Sequence, residues 1–156
     1  MSKLKHILFA EDNINDVELT LSALRECHLA NVVDVVRDGA EALDYLYRRG
    51  AYADLKQDLP GVVLLDLKMP RVDGLEVLCK IKTDPVLKRI PVVMLTSSRE
   101  EQDLVQSYDL GVNAFVVKPV DFAQFVEAIR TLGVFWAIVN EPSPLNAKSV
   151  IHTQAF

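Results

Sequence analysis

Glu11, Asp12, Asp66, Thr96 and Lys118 each stand at or just past the end of a short apolar run. "HILFAED" carries the first two, "GVVLLD" the third, "PVVMLT" the fourth and "AFVVK" the fifth. Three carboxylates, a hydroxyl and an ammonium group are thus delivered by four separate segments. Carboxylates gathered at one place raise each other's pKa unless a cation lies between them. Only oxygen donors are present, with no His or Cys nearby, so the cation that fits is magnesium (or manganese) rather than zinc. Beside such a metal, Lys118 can bind phosphate oxygens as a point charge, and the Thr96 hydroxyl can donate to one of them. A carboxylate can itself be the nucleophile and form an aspartyl-phosphate. Asp66 stands alone at the end of its run and is the candidate, with Glu11 and Asp12 left to hold the metal. A lone charge at the end of a strand buried on both faces is otherwise costly.

Each group taken singly has an ordinary structural use. Glu11 and Asp12 can favour the positive end of the following helix, with Asp12 or Asn13 as its cap. Asp66 can begin a turn, Thr96 can cap a helix, and Lys118 can be a solvated surface lysine. Asp73-Gly74 reads as a turn. His6, His28 and His152 show no ligand spacing and read as structural or surface residues. What favours chemistry is the coincidence of the right groups at four strand ends.

The elements that must position them follow from periodicity. The apolar runs His6 to Ala10, Val32 to Val36, Gly61 to Asp66, Pro91 to Ser97 and Ala114 to Lys118 read as strands. Helical spacing fills the gaps. Val17, Leu21 and Leu24 mark a helix from Ile14 to Cys27. Ala42, Leu43 and Leu46 mark a second, stopped by Gly50. A third runs from Gly74 to Asp84, ended by Pro85, and a polar fourth from Arg99 is closed by Gly111. A long last helix covers Asp121 to Glu141. Five continuously apolar strands alternating with five helices predict an α/β fold, a doubly wound parallel sheet covered on both faces. In such sheets ligands bind beyond the carboxyl ends of the strands, where the chemical groups lie. The connection from Tyr47 to Gly61 is longer than this fold requires.

Composition narrows the setting. The chain has 156 residues, is 50% hydrophobic and carries a net charge of −5. A chain of this size can bury about two-thirds of its unfolded surface, enough for one core and little room for a second domain. No basic run exists to neutralise nucleic-acid phosphates, so no nucleic-acid partner is expected. The N-terminus is neither a signal peptide nor a membrane span, and no membrane association is expected. Cys27 and Cys79, both within helical patterns, read as reduced, packed thiols of a cytoplasmic protein.

The segments "EDN", "LLDLKMPRVDG", "VVMLTSS" and "VVKP" together resemble the receiver domain of bacterial two-component response regulators, from Lys5 to about Val139. The resemblance implies strand order 2-1-3-4-5, the flavodoxin-like receiver fold. It implies Asp66 as phosphoacceptor and, as magnesium ligands, Glu11, Asp12 and Asp66, completed by the main-chain carbonyl of Lys68. It further implies contacts from Thr96 and Lys118 to the phosphoryl group, a cis Lys118-Pro119 bond, and Phe115 as the switch aromatic. The first acid is Glu here rather than the family's Asp, a longer arm that can shift metal geometry. The expected protein is therefore a single receiver domain over residues 1–141 with a tail over 142–156 and no output domain. It would not be an enzyme beyond its own phosphoryl transfer and dephosphorylation. Its partner would be a sensor histidine kinase. The insertion from Tyr47 to Gly61 and the ending "LGVFWAIVNEPSP" resemble the stand-alone regulators paired with bacterial and cyanobacterial phytochrome kinases, which points to a phytochrome as that kinase.

Other readings fit less well. A flavodoxin-type carrier needs a hydroxyl- and glycine-rich phosphate loop after the first strand, where "AEDNIND" is acidic. A haloacid-dehalogenase-like phosphatase typically has a second Asp two positions after its nucleophile, and here that residue is Lys68. A pseudo-receiver that only binds partners would usually have lost a site group. The last helix carries one stripe, Phe125, Ile129, Leu132 and Trp136, that suits packing on the sheet. Val134, Phe135, Ile138 and Val139 form a second apolar surface. Either the tail folds over that surface or a homodimer covers it. The dimer is the expectation, built on the end of this helix with the neighbouring fourth helix and fifth strand. Sedimentation at micromolar concentration should give a dimer for the wild type and a monomer for Ile138→Glu.

Overall fold

The computed structural model of the chain describes residues 6–26 and 32–132. Cys27, His28, His152, the four apolar residues Val134, Phe135, Ile138 and Val139, and the tail from Pro142 lie outside them. The strands are β1 (Ile7–Ala10), β2 (Val33–Val36), β3 (Val62–Asp66), β4 (Val92–Thr96) and β5 (Ala114–Val117). They alternate with α1 (Ile14–Arg25), α2 (Gly39–Tyr47), α3 (Gly74–Thr83), α4 (Arg99–Ser107) and α5 (Phe122–Leu132). The sheet is parallel throughout, in the order β2-β1-β3-β4-β5, as expected. The chain winds outward from β1 to β2, then crosses back to β3. Its order reverses between β1 and β3, and the crevice opens beyond their carboxyl ends.

Alternation along each strand divides the core. Leu8, Ala10, Val63, Leu65, Val92 and Met94 face the side covered by α2, α3 and Val105 of α4. Ile7, Phe9, Val62, Leu64, Val93 and Leu95 face α1 and α5, against Leu24, Phe125 and Ile129. With both faces covered, all five residues of β3 and of β4 are buried, which is why these strands lack the alternation of a half-exposed sheet. Among the described residues, no helix is long and apolar enough to cross a membrane.

Helix ends depart from the sequence reading in informative ways. Gly50 does not stop α2. The helix ends at Arg48, which takes the left-handed conformation at φ 57°, and the Arg48 guanidinium bonds back to the Tyr45 carbonyl and across to that of Gln57. Likewise α4 ends at Ser107, and the left-handed turn after it falls on Asp109 before Gly111. Gly50 and Gly111 are left-handed as well, at φ 55° and 81°, each two residues beyond the first left-handed turn. Asp73 is the N-cap of α3, accepting from the Glu76 N–H at 2.9 Å, so the Asp73-Gly74 turn is a helix start. Cys79 is a free thiol on the exposed face of α3, not a packed one, because Val77, Leu78 and Ile81 take the buried positions.

The long connection after α2 is folded onto the core. It makes a single 3-10 turn, Gly50–Tyr52, and Tyr52, Leu55 and Leu59 pack against the α2 and α3 side. Asp34 of β2 gathers it. The Asp34 carboxylate accepts from the Tyr45 hydroxyl at 2.6 Å and from the Gln57 amide at 2.8 Å, with His6 Nδ1 at 3.2 Å.

Two glycines mark where backbones meet beside the crevice. A Cβ on Gly74 would lie 2.1 Å from the Asp66 carbonyl oxygen, and one on Gly39 would lie 1.9 Å from that of Val72. The loop from Leu67 to Asp73 is therefore pressed onto the starts of α2 and α3. Arg71, left-handed at φ 65°, secures it with a two-pronged bond to Asp38, the N-cap of α2. Because Val72 backbone cannot yield as a flexible side chain would, Gly39→Ala should cost about 2 kcal/mol or more. Denaturant unfolding should show this as a lower midpoint with an unchanged slope.

Candidate functional site

Asp66 at the end of β3, and Glu11, Ser97 and Lys118 just past the ends of β1, β4 and β5, line one cleft of about 170 Å³, with Thr96 buried behind Ser97. Glu11 follows β1 directly and is held by its own N–H, which donates to the Val36 carbonyl at 3.0 Å. Its side chain points inward and is fully buried, while Asp12 is exposed. Asn13 caps α1, its side chain accepting from the N–H groups of Asn15 and Asp16 at 2.9 and 3.1 Å. Of the two caps the sequence offered, Asp12 and Asn13, the fold uses Asn13, whose own N–H donates to Glu11 Oε2 at 3.3 Å. Asp66, 4% exposed, ends β3 paired with Leu95, one residue before Thr96 on β4.

Lys118, directly after β5, joins these groups. Its ammonium lies 2.9 Å from Asp66 Oδ1, 3.3 Å from Glu11 Oε1 and 3.1 Å from Asp16 Oδ2. It is not the solvated lysine of the alternative reading: its side chain is only 14% exposed. The Lys118 N–H donates to the Thr96 carbonyl at 2.8 Å, which fixes the chain at the point where the side chain departs. The following peptide bond to Pro119 is cis.

Burial and crowding set the electrostatics. The Glu11 carboxyl is pushed up from 4.5 to about 7, first by burial and then by the Asp66 charge, with Lys118 offsetting part of this. Asp66 is also raised by burial, against the pull of Lys118. Burial alone would lower Lys118, but its bond to Asp66 and the charges of Asp66 and Glu11 hold it well above its ordinary value. One oxygen from each of Glu11, Asp12 and Asp66 lies within 4.8 Å of the others. Two buried carboxylates and one exposed, with a single ammonium among them, form a hard-oxygen donor set of the kind that suits magnesium or manganese. Lys68, whose carbonyl was expected to join them, lines the same cleft.

Thr96, the last residue of β4, is fully buried, and Gln102 Nε2 lies 3.5 Å from its hydroxyl. Phe115, the expected switch aromatic, lies within β5. It pairs with Met94, while Val117 pairs with Thr96, so Phe115 lies one same-face step before the end of β5, partly buried against the α2 and α3 side. Two residues of the cleft were missed. Asp16 stands one helical turn beyond Asp12, a spacing that puts it on the same side of α1. Glu101 completes an S-x-x-E pattern with Ser98, a legible helix-start signal, but its reach into the cleft is visible only in the fold.

Residues 7–130 match the response regulator receiver domain family. The chain is 37% identical over 132 residues to response regulator Rcp1 of Synechocystis sp., covering 85% of this chain and 88% of that protein. The Mn(2+)-bound form of Rcp1 superposes with a TM-score of 0.68 over 89% of this chain and 97% of that one, at 34% identity. The bacteriophytochrome response regulator AtBRR is 64% identical, with a TM-score of 0.84 over 90% of this chain and all (100%) of that one. The phosphorylated cyanobacterial phytochrome response regulator RcpA is 43% identical, with a TM-score of 0.67 over 86% and 94% of the two chains.

The raised Glu11 value has a measurable consequence. Unfolded, Glu11 loses its proton near 4.5; folded, near 7. Between these values the folded state binds more protons, so this group makes stability fall as pH rises through that window. In metal-free buffer, the melting temperature of the wild type relative to Glu11→Gln should fall from about pH 5 to about pH 8. Magnesium should restore more of it in the wild type than in the variant.

Proposed function

The chain belongs to the response regulator receiver domain family, and we propose that it accepts a phosphoryl group on Asp66 from the phosphohistidine of a sensor histidine kinase. The observation that carries this reading is Lys118: an ammonium group buried 2.9 Å from the Asp66 carboxylate, in a cleft otherwise lined mainly by acids. An Asp66 oxygen forms the new bond to phosphorus, the bond from phosphorus to the imidazole nitrogen breaks, and that nitrogen keeps the electron pair and is protonated from water. Lys118 passes from the Asp66 carboxylate to a phosphoryl oxygen without leaving the cleft. Glu11, Asp12, Asp66 and the Lys68 carbonyl would hold magnesium, which supplies positive charge to offset the phosphoryl group when bound. The protein turns over only its own Asp66 and is a signalling protein, not a conventional enzyme.

The phosphoryl oxygens then recruit the Thr96 hydroxyl, which vacates space beside β5, and Phe115 moves inward to fill it. The surface that responds is formed by α4, β5 and α5, where Leu104, Tyr108, Val117 and Phe122 are exposed, each at 40% or more. A second copy of the chain is the partner proposed for this surface, extended by the last-helix residues Val134, Phe135, Ile138 and Val139. The names of AtBRR and RcpA support a phytochrome as the kinase. Phosphorylation by such a kinase places the proposed exchange in the cytoplasm, and the net charge of −5 supports a protein partner over a nucleic acid. An unphosphorylated pseudo-receiver is less well supported, because every group of the site is present.

With acetyl phosphate and magnesium, intact mass should show a labile adduct of about 80 Da on the wild type and none on Asp66→Asn. Asp12→Ala should weaken magnesium binding by about tenfold or more in calorimetric titration. An adduct on Asp66→Asn would assign the phosphate to another residue.

A further inference from the structure

Glu101 lines the cleft yet has no part in the reaction proposed above. It lies in the first turn of α4, its side chain only 16% exposed. Both of its oxygens are engaged. Oε1 accepts from the Ser97 N–H at 2.7 Å, and Oε2 lies 3.6 Å from Lys68 Nζ. Ser97 follows β4 and Lys68 belongs to the loop after β3, so one carboxylate ties together the two loops that flank Asp66. A main-chain N–H and an ammonium group converging on one point make an anion site. Here the anion is part of the chain.

A phosphoryl group on Asp66 would bring up to about two negative charges into the same 170 Å³ cleft. Glu11, Asp12, Asp16, Asp66 and Glu101 line it against only two ammonium groups, Lys68 and Lys118. Lys118 already serves three carboxylates. Glu101 takes the nearby N–H and lies 3.6 Å from the second cation, whose side chain is 81% exposed. An incoming phosphoryl group therefore meets repulsion from Glu101 and finds the Ser97 N–H and Lys68 already facing it. Withdrawal of Glu101 relieves both at once.

We propose that Glu101 is a built-in competitor of the phosphoryl group, occupying the Ser97 N–H and Lys68 in the unphosphorylated protein and leaving them when Asp66 is phosphorylated. The inference rests on the reading of Asp66 as the acceptor. Glu101 is a positioning residue: it acts through Ser97 and Lys68. Its departure unties the first turn of α4 from the loop after β3. Gln102, the next residue, lies against the Thr96 hydroxyl, so the release reaches the start of α4 beside the buried threonine.

The test compares wild type, Glu101→Gln, Glu101→Gln with Lys68→Gln, and Asp66→Asn, using acetyl phosphate and magnesium. In this reaction an Asp66 oxygen bonds to phosphorus, the bond from phosphorus to the acetyl oxygen breaks, and acetate leaves with the electron pair. Glutamine keeps the shape of Glu101 and removes its charge. Glu101→Gln should form the adduct about fivefold faster than wild type, the advantage should shrink with added salt, and Lys68→Gln should abolish most of it. A purely structural role would not give a salt-dependent gain. In wild-type protein, the Ser97 amide resonance should shift when beryllofluoride and magnesium are added, as its bond to Glu101 breaks. Equal or slower phosphorylation of Glu101→Gln, with wild type labelled and Asp66→Asn not, overturns the competitor role alone. A Ser97 resonance unmoved by bound beryllofluoride does the same. A wild type that carries no adduct, or an Asp66→Asn protein that carries as much, removes the Asp66 reading and this inference with it.

Discussion

Much of the structure is arranged around one ammonium group surrounded by carboxylates. Lys118 lies within 3.3 Å of oxygens from Asp66, Glu11 and Asp16, in a setting where Glu11 is fully buried and Asp66 nearly so. Neither acid could be left charged and unpaired there without a cost of several kcal/mol. The lysine removes much of that cost and cannot remove all of it, because one positive charge faces several negative ones. The residual strain appears as the upward push on Glu11 and Asp66. A site held short of positive charge in this way is suited to take up a divalent cation.

Holding such a site requires a rigid frame, and the parallel sheet supplies it. β3 and β4 are buried along their whole length, so the residues at their ends cannot shift without disturbing the core. The loops carry the adaptable parts, and each is fastened at a defined place. Asn13 caps α1 and fixes the loop after β1, while Arg37 donates to the Asp12 carbonyl from the loop after β2. Arg71 and Asp38 secure the loop after β3 against α2. Glu101 holds the loop after β4. These four fastenings differ in kind. A neutral cap or a bond to a carbonyl is insensitive to charge in the cleft, whereas the Glu101 contact is itself anionic and lies inside it. That difference separates the loops that frame the site from the loop able to respond to it.

The position of Phe115 shows how strand register controls such a response. Alternation puts Phe115 and Val117 on one face of β5, and the pairing sets them beside Met94 and Thr96 respectively. Phe115 therefore sits one same-face step before the Thr96 pair, packed against the core. A one-residue slip would turn it to the opposite face. The buried run of β4 prevents that slip, so the relation between Thr96 and Phe115 is a property of the whole sheet.

The sequence by itself determined the alternation of strands and helices, because apolar runs and helical spacing report burial directly. It also determined which groups stand at strand ends, since Glu11, Asp12, Asp66, Thr96 and Lys118 are adjacent to those runs. Exact boundaries were less legible: left-handed turns at Arg48 and Asp109 precede those at Gly50 and Gly111, and Cys79 turned outward because its helix neighbours filled the core. Only the tertiary structure decided what the five groups touch. Asp16 is 102 residues from Lys118 in the chain and 3.1 Å from it in space, and Glu101 meets Lys68 across two loops. Periodicity says which face of an element is buried. It does not say which polar groups from other elements converge on the same point, because that depends on strand order, register and the rotation of each helix over the sheet. Long-range pairing of charge is fixed by that packing, and by nothing shorter.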